Sequence, residues 1–331
     1  MTLDRSLALA TTLCLALTLA IGSGFLISGS QTQLNESHSR EMQSTALLLT
    51  SSMSQAASLS ATHALAISRD PLVIEMMKAG ERAGLARYLQ PTYQSLASEA
   101  GVNMLHFHTP DIKSFLRVQD PGNFGQDLSG FRPMILAANR SQILQKGLEV
   151  GIAGLSLRAV APVLDQETLI GTFEVGIELK TLMDLAKSAS GADFALFLSP
   201  AMTGFSGSGQ TAGADTFGLV IESATNTSLF EALYRSGAIG LQREPVQAFH
   251  AVDGTRYGTF AQPLLDYSGR MIGTIVIARD VSDLDGAFRR ALITALTSGL
   301  IGLLIGYGLI MVAIRAIVLR PLERTAGDVG S

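Results

Sequence analysis

The sequence predicts an α+β fold: a long N-terminal helix followed by two tandem modules built on antiparallel sheets, flanked by two transmembrane helices. Three observations predict it. Uncharged apolar runs bracket the chain, a stretch of nearly 40 residues without Gly or Pro follows the first run, and a 17-residue pattern of turn and strand occurs twice.

The first apolar run, Leu7–Ile27, carries no charge and is mostly Leu, Ala, Ile and Thr. About 20 such residues cross a hydrocarbon core about 30 Å thick, so residues 7–29 are expected to span a membrane after a short cytoplasmic segment, 1–6. A cleaved signal peptide is the alternative, since Thr18, Leu19 and Ala20 offer small residues at a plausible cleavage site. The charged flank of Asp4 and Arg5 is thin, however, and the run exceeds the usual ~7–15 residues of a signal-peptide core. The second span is expected over residues 291–314, rich in Leu, Ile, Gly and Ala. Arg315, Arg320 and Arg324 after it read as cytoplasmic. Arg289 and Arg290 argue the opposite way, but a long intervening segment translocates largely regardless of charge. Residues 30–288 are therefore expected in the periplasm, on an inner-membrane protein.

Between the spans, Gln31–Ser68 repeats apolar residues at helical spacing (Leu34, Met42, Leu49, Met53, Ala56, Ala57, Ala64). At 1.5 Å per residue such a helix reaches about 57 Å, which suits a rod lying along a stacked structure. Asp70-Pro71 reads as a helix cap followed by proline at the first helical position, with short helices continuing to about Ala100. After Gly101 the pattern becomes that of strands. Asn103–His108 and Ser114–Val118 form a hairpin around Thr109-Pro110-Asp111, and a turn-rich stretch, Gln119–Gly130, follows. A short helix near Pro133–Arg140 and strands near Leu155–Ala161 and Gly171–Ile177 complete a first module, about 69–185. The second module, about 186–285, has strands at Phe194–Leu198, Val246–Val252, Thr255–Gln262 and Met271–Ile277. Asp253-Gly254 makes the hairpin turn between two of them, because both positions tolerate positive φ.

The repeated pattern is PVLDQETLIGTFEVGIE from Pro162 and PLLDYSGRMIGTIVIAR from Pro263. Both run Pro, two apolar residues, Asp, a turn, then apolar-Ile-Gly-Thr and an alternating strand, with one gap residue between their registers. Two copies do not make a solenoid; they indicate two similar modules, each a sheet with helices to one side.

Composition narrows the function classes. The chain has 331 residues, 47% hydrophobic and 16% charged, with mean hydropathy +0.32 and net charge −4. No Lys/Arg-rich run provides a nucleic-acid footprint, and the single cysteine, Cys14, supports neither a disulfide framework nor a thiolate metal site. No P-loop, dinucleotide glycine fingerprint or HExxH motif is present, nor a GxSxG elbow, so no enzyme activity and no cofactor are expected. GFSGSGQTAGA at Gly204–Ala214 lacks the lysine of a phosphate loop and reads as a flexible connection.

This organisation resembles the double Cache sensors of bacterial receptors, whose modules are PAS-like. LHFHTPDIKSFLR (Leu105–Arg117), FGQDLSGFRP (Phe124–Pro133), KGLEVGIAGLSLRAVAPV (Lys146–Val163) and IGTFEVG (Ile170–Gly176) carry the resemblance in the first module. The second matches in architecture alone, and LRPLERTAGDV (Leu319–Val329) is similar to the opening of a HAMP linker, over 315–331. The resemblance implies a membrane-distal module that binds a small molecule under the loop after Gln119, and a membrane-proximal one below it. It also implies a methyl-accepting chemotaxis receptor first among outputs. A sensor histidine kinase, a diguanylate cyclase or a membrane-anchored binding module working through a partner protein are the alternatives. The output domain would lie beyond residue 331.

Strand alternation separates two faces. Leu105, Phe107, Leu155, Leu157, Phe173, Val175 and Ile177 form an apolar face for the long helix. The opposite face carries His106, His108, Arg117 (with Phe115), Arg158 and Glu174, approached by Asp127, Ser129 and Arg132 from the loop. Antiparallel sheets often leave one face solvated, and these charges can also pair with one another and hold the loop. The functional alternative is a site where arginines take a carboxylate through bidentate bonds and Glu174 and Asp127 take an amine, for an organic acid or amino-acid-like ligand. His106 and His108 can both face a metal, but the sequence offers no firm third donor, so none is assigned. The long helix and the two spans suggest a homodimer in the lipid bilayer, with Gly299, Gly302 and Gly306 allowing close helix approach.

Overall fold

The computed structural model describes residues 3–151, 154–203 and 218–314. The HAMP-like residues 319–329, the orienting arginines 315, 320 and 324 and the loop 204–214 lie outside them. The chain divides into two compact units, Glu41–Asp280 and the terminal segments Met1–Arg40 with Val281–Ser331.

In the terminal unit, α1 (Leu3–Ser68) begins and α8 (Ser282–Ile314) runs. Among the described residues one stretch is long and apolar enough to cross a membrane: Arg289–Ala313, 25 residues with mean hydropathy 2.0. Within α1 the apolar stretch Ala16–Phe25 is shorter.

The larger unit contains two sheets of five strands each. From α1, Met42, Ala46, Leu49, Met53, Ala57, Ala61 and Ala64 are buried at successive separations of three or four residues, the spacing of one helix face. The first five pack into a core with the inner faces of both modules, and Ala61 and Ala64 into the core of the first alone. The helix is continuous because its interior lacks Gly and Pro from Gln31 onward. It ends before α2 (Pro71–Ala79), whose N-cap Asp70 accepts from Leu72 N at 2.9 Å. Next comes α3 (Arg82–Ala100), which closes the first core from outside.

The first sheet contains β1 (Val102–His108), β2 (Ser114–Arg117), β3 (Gln145–Gly151), β4 (Gly154–Asp165) and β5 (Thr168–Ile177), in the order β2-β1-β5-β4-β3. Helix α4 (Pro133–Ser141) lies between β2 and β3 in sequence. After α5 (Leu179–Ser190), the second sheet contains β6 (Asp193–Leu198), β7 (Val220–Ala224), β8 (Val246–Val252), β9 (Thr255–Leu265) and β10 (Met271–Asp280). The short α6 (Pro200–Thr203) and the longer α7 (Thr227–Arg235) are its helices, and the strand order is β7-β6-β10-β9-β8. The two orders correspond strand for strand, and the repeated pattern forms the hairpins β4–β5 and β9–β10. In both copies Gly sits against a neighbouring strand's backbone: a Cβ at Gly171 would overlap the His108 carbonyl oxygen, and one at Gly273 that of Phe197. The Ile-Gly-Thr repeat therefore preserves a close backbone approach.

One face assignment changes. Strict alternation pairs Phe115 with Arg117, but the register shifts between Phe107 and His108, so Leu116 lies opposite Phe107 and Ser114 opposite His108. Phe115 is the extra residue of this bulge and packs on the apolar core.

Candidate functional site

On the outer face of the first sheet, six charged or titratable residues are buried together. His106, His108, Arg132, Glu149, Arg158 and Glu174 are each 5% exposed or less. His106 and His108 project from β1; Glu174 on β5 pairs directly with His106. Arg158 on β4 pairs with Gly176, and Glu149 on β3 with Ser156. Arg132 enters from the loop as the residue before α4. Proline at the first position of α4 suits a helix start, and Glu149 accepts from Met134 N at 2.8 Å, so this carboxylate also fixes the helix N-terminus. Met134, Ile135 and Ala138 of α4 then pack with Ile112, Leu128 and Val160 over this face.

The ion pairs interlock. Arg132 donates to Glu149 Oε2 at 2.9 Å and to Glu174 Oε1 at 2.7 Å. Arg158 pairs with Glu174 Oε1 and lies 3.5 Å from Glu149 Oε2. Burial alone would push the Glu174 carboxyl up, but Arg132 and Arg158 outweigh it and hold the group well below the ordinary range. Burial, reinforced by His108, pushes His106 well below the usual imidazole value; burial also lowers His108, partly offset by Glu174. Both imidazoles are therefore neutral at pH 7. Their outer nitrogens are tied down, His106 Nε2 to Ser114 Oγ at 2.8 Å and His108 Nδ1 to Thr172 Oγ1 at 2.9 Å.

The structure thus brings together five of the eight residues singled out in the sequence. Arg117 stands at the margin, joined through Ser114 Oγ at 2.9 Å, with neutral acceptors on Asn123 and Gln126 at 2.6–3.1 Å. Asp127 and Ser129 do not join. Asp127 Oδ1 accepts from the Ser129 N–H and hydroxyl at 2.9 and 2.7 Å in an exposed turn, so Asp127 is not placed to take an amine beside Glu174. The reading of this face as solvated is also displaced, because α4 and the loop cover it. Sequence reasoning missed Glu149, although its place between Leu148 and Val150 carries the same alternation signal. It also missed Ser114, which holds His106, and gave Thr172, on the same face as Glu174 by alternation, no part in holding His108.

A cleft of about 590 Å³ opens beside the cluster, lined by Ser129, Phe131, Arg132 and Glu149 from the first module and by Tyr267 and Arg270 from the second. Arg132 and Glu149 thus belong to both the buried cluster and the cleft wall.

The second module treats the equivalent face differently. Strand register equates His106 with Ala195, His108 with Phe197, Arg158 with Thr259 and Glu174 with Val276. Ala195, Phe197 and Val276 pack with Leu229, Phe230, Leu233 and Tyr234 of α7. One scaffold therefore carries a polar cluster in one copy and a dry core in the other.

A family model described as the double sensory domain of two-component sensor kinase matches residues 35–284. The chain belongs to this double Cache family. Solved sensor domains similar to this double Cache chain include that of the Vibrio cholerae histidine kinase DctB, with 11% identity over 76% of this chain and 98% of that one and a TM-score of 0.47. The Campylobacter jejuni chemoreceptor Tlp3 domain shares 8% identity over 78% and 98%, with a TM-score of 0.47. The Pseudomonas fluorescens chemoreceptor CtaA domain, solved with L-leucine, shares 13% over 77% and 98%, with a TM-score of 0.45. No curated protein matches the chain.

Proposed function

We propose that this chain is the periplasmic input of a transmembrane receptor in the bacterial inner membrane, and that its first module binds a small organic acid or amino-acid-like ligand. The observation that carries the reading is the buried charged face opening through Arg132 and Glu149 onto a cleft of about 590 Å³, a size that suits a small molecule. The apolar counterpart in the second module supports placing the ligand in the first. Arg132, which lines the cleft, is the arginine placed to meet a ligand carboxylate there. Glu149 on the cleft wall, rather than Asp127, suits an amine. The ligand shifts the receptor by binding two arrangements of the loop and α4 with different affinity, and the signal leaves through α8, which follows β10 directly in the chain.

In this reading residues 7–29 and 291–314 are the two spans, residues 315–331 open a HAMP linker, and the receptor is a homodimer. A methyl-accepting chemotaxis output fits the resemblance. A histidine kinase is the second reading, favoured by the description of the matched family; the coding sequence after Ser331 decides between them. The ligand assignment is tested by a thermal-shift screen of the chain in detergent against organic acids, amino acids and amines. A saturable shift is expected for one class, with affinity lowered about tenfold or more, at least ~1.4 kcal/mol, by Arg132→Ala. Unchanged affinity in a folded Arg132→Ala variant would sink the assignment.

A further inference from the structure

We propose that His106, His108 and Glu174 hold a divalent transition-metal ion in the first module. The inference stands whether or not an organic ligand binds. His106 Nδ1, His108 Nε2 and Glu174 Oε2 are buried without a hydrogen-bond partner, and the three residues each offer a ligand atom within 4.8 Å of those of the other two. Glu174 Oε2 is 3.5 Å from His108 Nε2 and 3.8 Å from His106 Nδ1, too far for a good N–H···O bond. An ion bonded at about 2.1 Å in a tetrahedral site holds its donors about 3.4 Å apart. Both carboxylate separations are close to that value, and the 4.8 Å limit on the imidazole pair leaves a contraction of about 1.4 Å or less.

The remaining atom of each side chain is engaged in the way a metal ligand requires. His106 Nε2 meets Ser114 Oγ and His108 Nδ1 meets Thr172 Oγ1. When those nitrogens carry the protons, both imidazole lone pairs face the carboxylate oxygen, and three acceptors converge on one point. A cation resolves that arrangement. Outer hydrogen bonds of this kind fix ring orientation and tautomer at metal centres. Glu174 turns its other oxygen to Arg132 and Arg158, which leaves Oε2 facing the two imidazoles.

Two imidazoles and a carboxylate suit zinc, nickel, copper or iron rather than magnesium or calcium. The two arginines and two glutamates of the cluster balance in charge, so the ion brings uncompensated positive charge.

The test uses the full chain in detergent, stripped with chelator and titrated with Zn²⁺, with Mg²⁺ as control. One zinc per chain and a saturable rise in Tm are expected, and Co²⁺ should give the visible ligand-field absorption of a site with two nitrogen ligands. His106→Gln/His108→Gln should abolish both signals, while Ser114→Ala and Thr172→Val should each weaken binding about 10–100-fold. A folded wild-type chain that takes up no Zn²⁺, Ni²⁺, Cu²⁺ or Co²⁺ overturns the proposal. So does equal binding by the double variant, which would move the ion to His38, His63 or His250. Should the double variant not fold, a wild-type Co²⁺ spectrum without nitrogen ligands also overturns it. A chain that binds zinc but no organic acid or amino acid sinks the ligand reading and leaves this one; the reverse outcome sinks the metal.

Discussion

Replacing Glu174 by Gln leaves Arg132 and Arg158 with one buried carboxylate between them, and the expected cost is about 3–5 kcal/mol, measured by denaturant unfolding. Replacing the whole cluster by the residues of the second module is expected to cost far less, because a packed apolar core often matches a buried ion-pair network. The same residues set a pH dependence in chelator-treated protein. His106 and His108 have folded pKa values below their unfolded ones, so the unfolded chain binds more protons and stability rises with pH. On acidification stability should fall from about pH 6.5, the ordinary imidazole value, and continue falling through the depressed folded values. Glu174, also depressed, adds a loss below the ordinary carboxylate range. Tm against pH checks this, and His106→Gln/His108→Gln should flatten the upper limb. The facing of these residues was legible in the sequence because strand side chains alternate with period two. Their burial was not, since it depends on α4 and the loop folding over the sheet. Nor was Phe115's departure from the pattern, because one bulged residue reverses the alternation beyond it.

Among the elements, α1 and the repeated hairpins were the most legible. Helix α1 has a long unbroken period, and the hairpin between β8 and β9 likewise carries its turn in its residues: Asp253 and Gly254 have φ of 50° and 79°. Helices α5 and α7 escaped notice; each is short, and its amphipathic face is specified by the sheet it covers. Leu49 is fully buried in the core that α1 shares with both modules, so Leu49→Ala should cost about 2–5 kcal/mol in denaturant unfolding. Gly273→Ala should cost about 1–3 kcal/mol, because the new methyl group meets the backbone of β6 rather than a yielding side chain. An equal unfolding midpoint for either variant would contradict the packing described.

At the scale of the molecule, the proposed dimer makes a positional prediction. Leu48 and Leu59 of α1 are 40% and 48% exposed and eleven residues apart, which places them on one helix face. In a chain with Cys14→Ser, cysteines at 48 and 59 should oxidise to disulfide-linked dimers, whereas cysteines at the buried positions 49 and 57 should not. Equal yields at all four sites would count against a dimer along α1.

The strand-for-strand equivalence of the two sheets also makes the second module a blank copy of the first for protein engineering. Writing His at 195 and 197 and Glu at 276, with arginine at 259 and an acidic partner on β8, would transplant the first module's charged face onto a scaffold that already has the same register. A receptor carrying both versions would have two addressable inputs on one output. The reverse exchange, apolar residues in the first module, would give a folded receptor deaf to its signal, the natural control strain for measuring what the wild type hears.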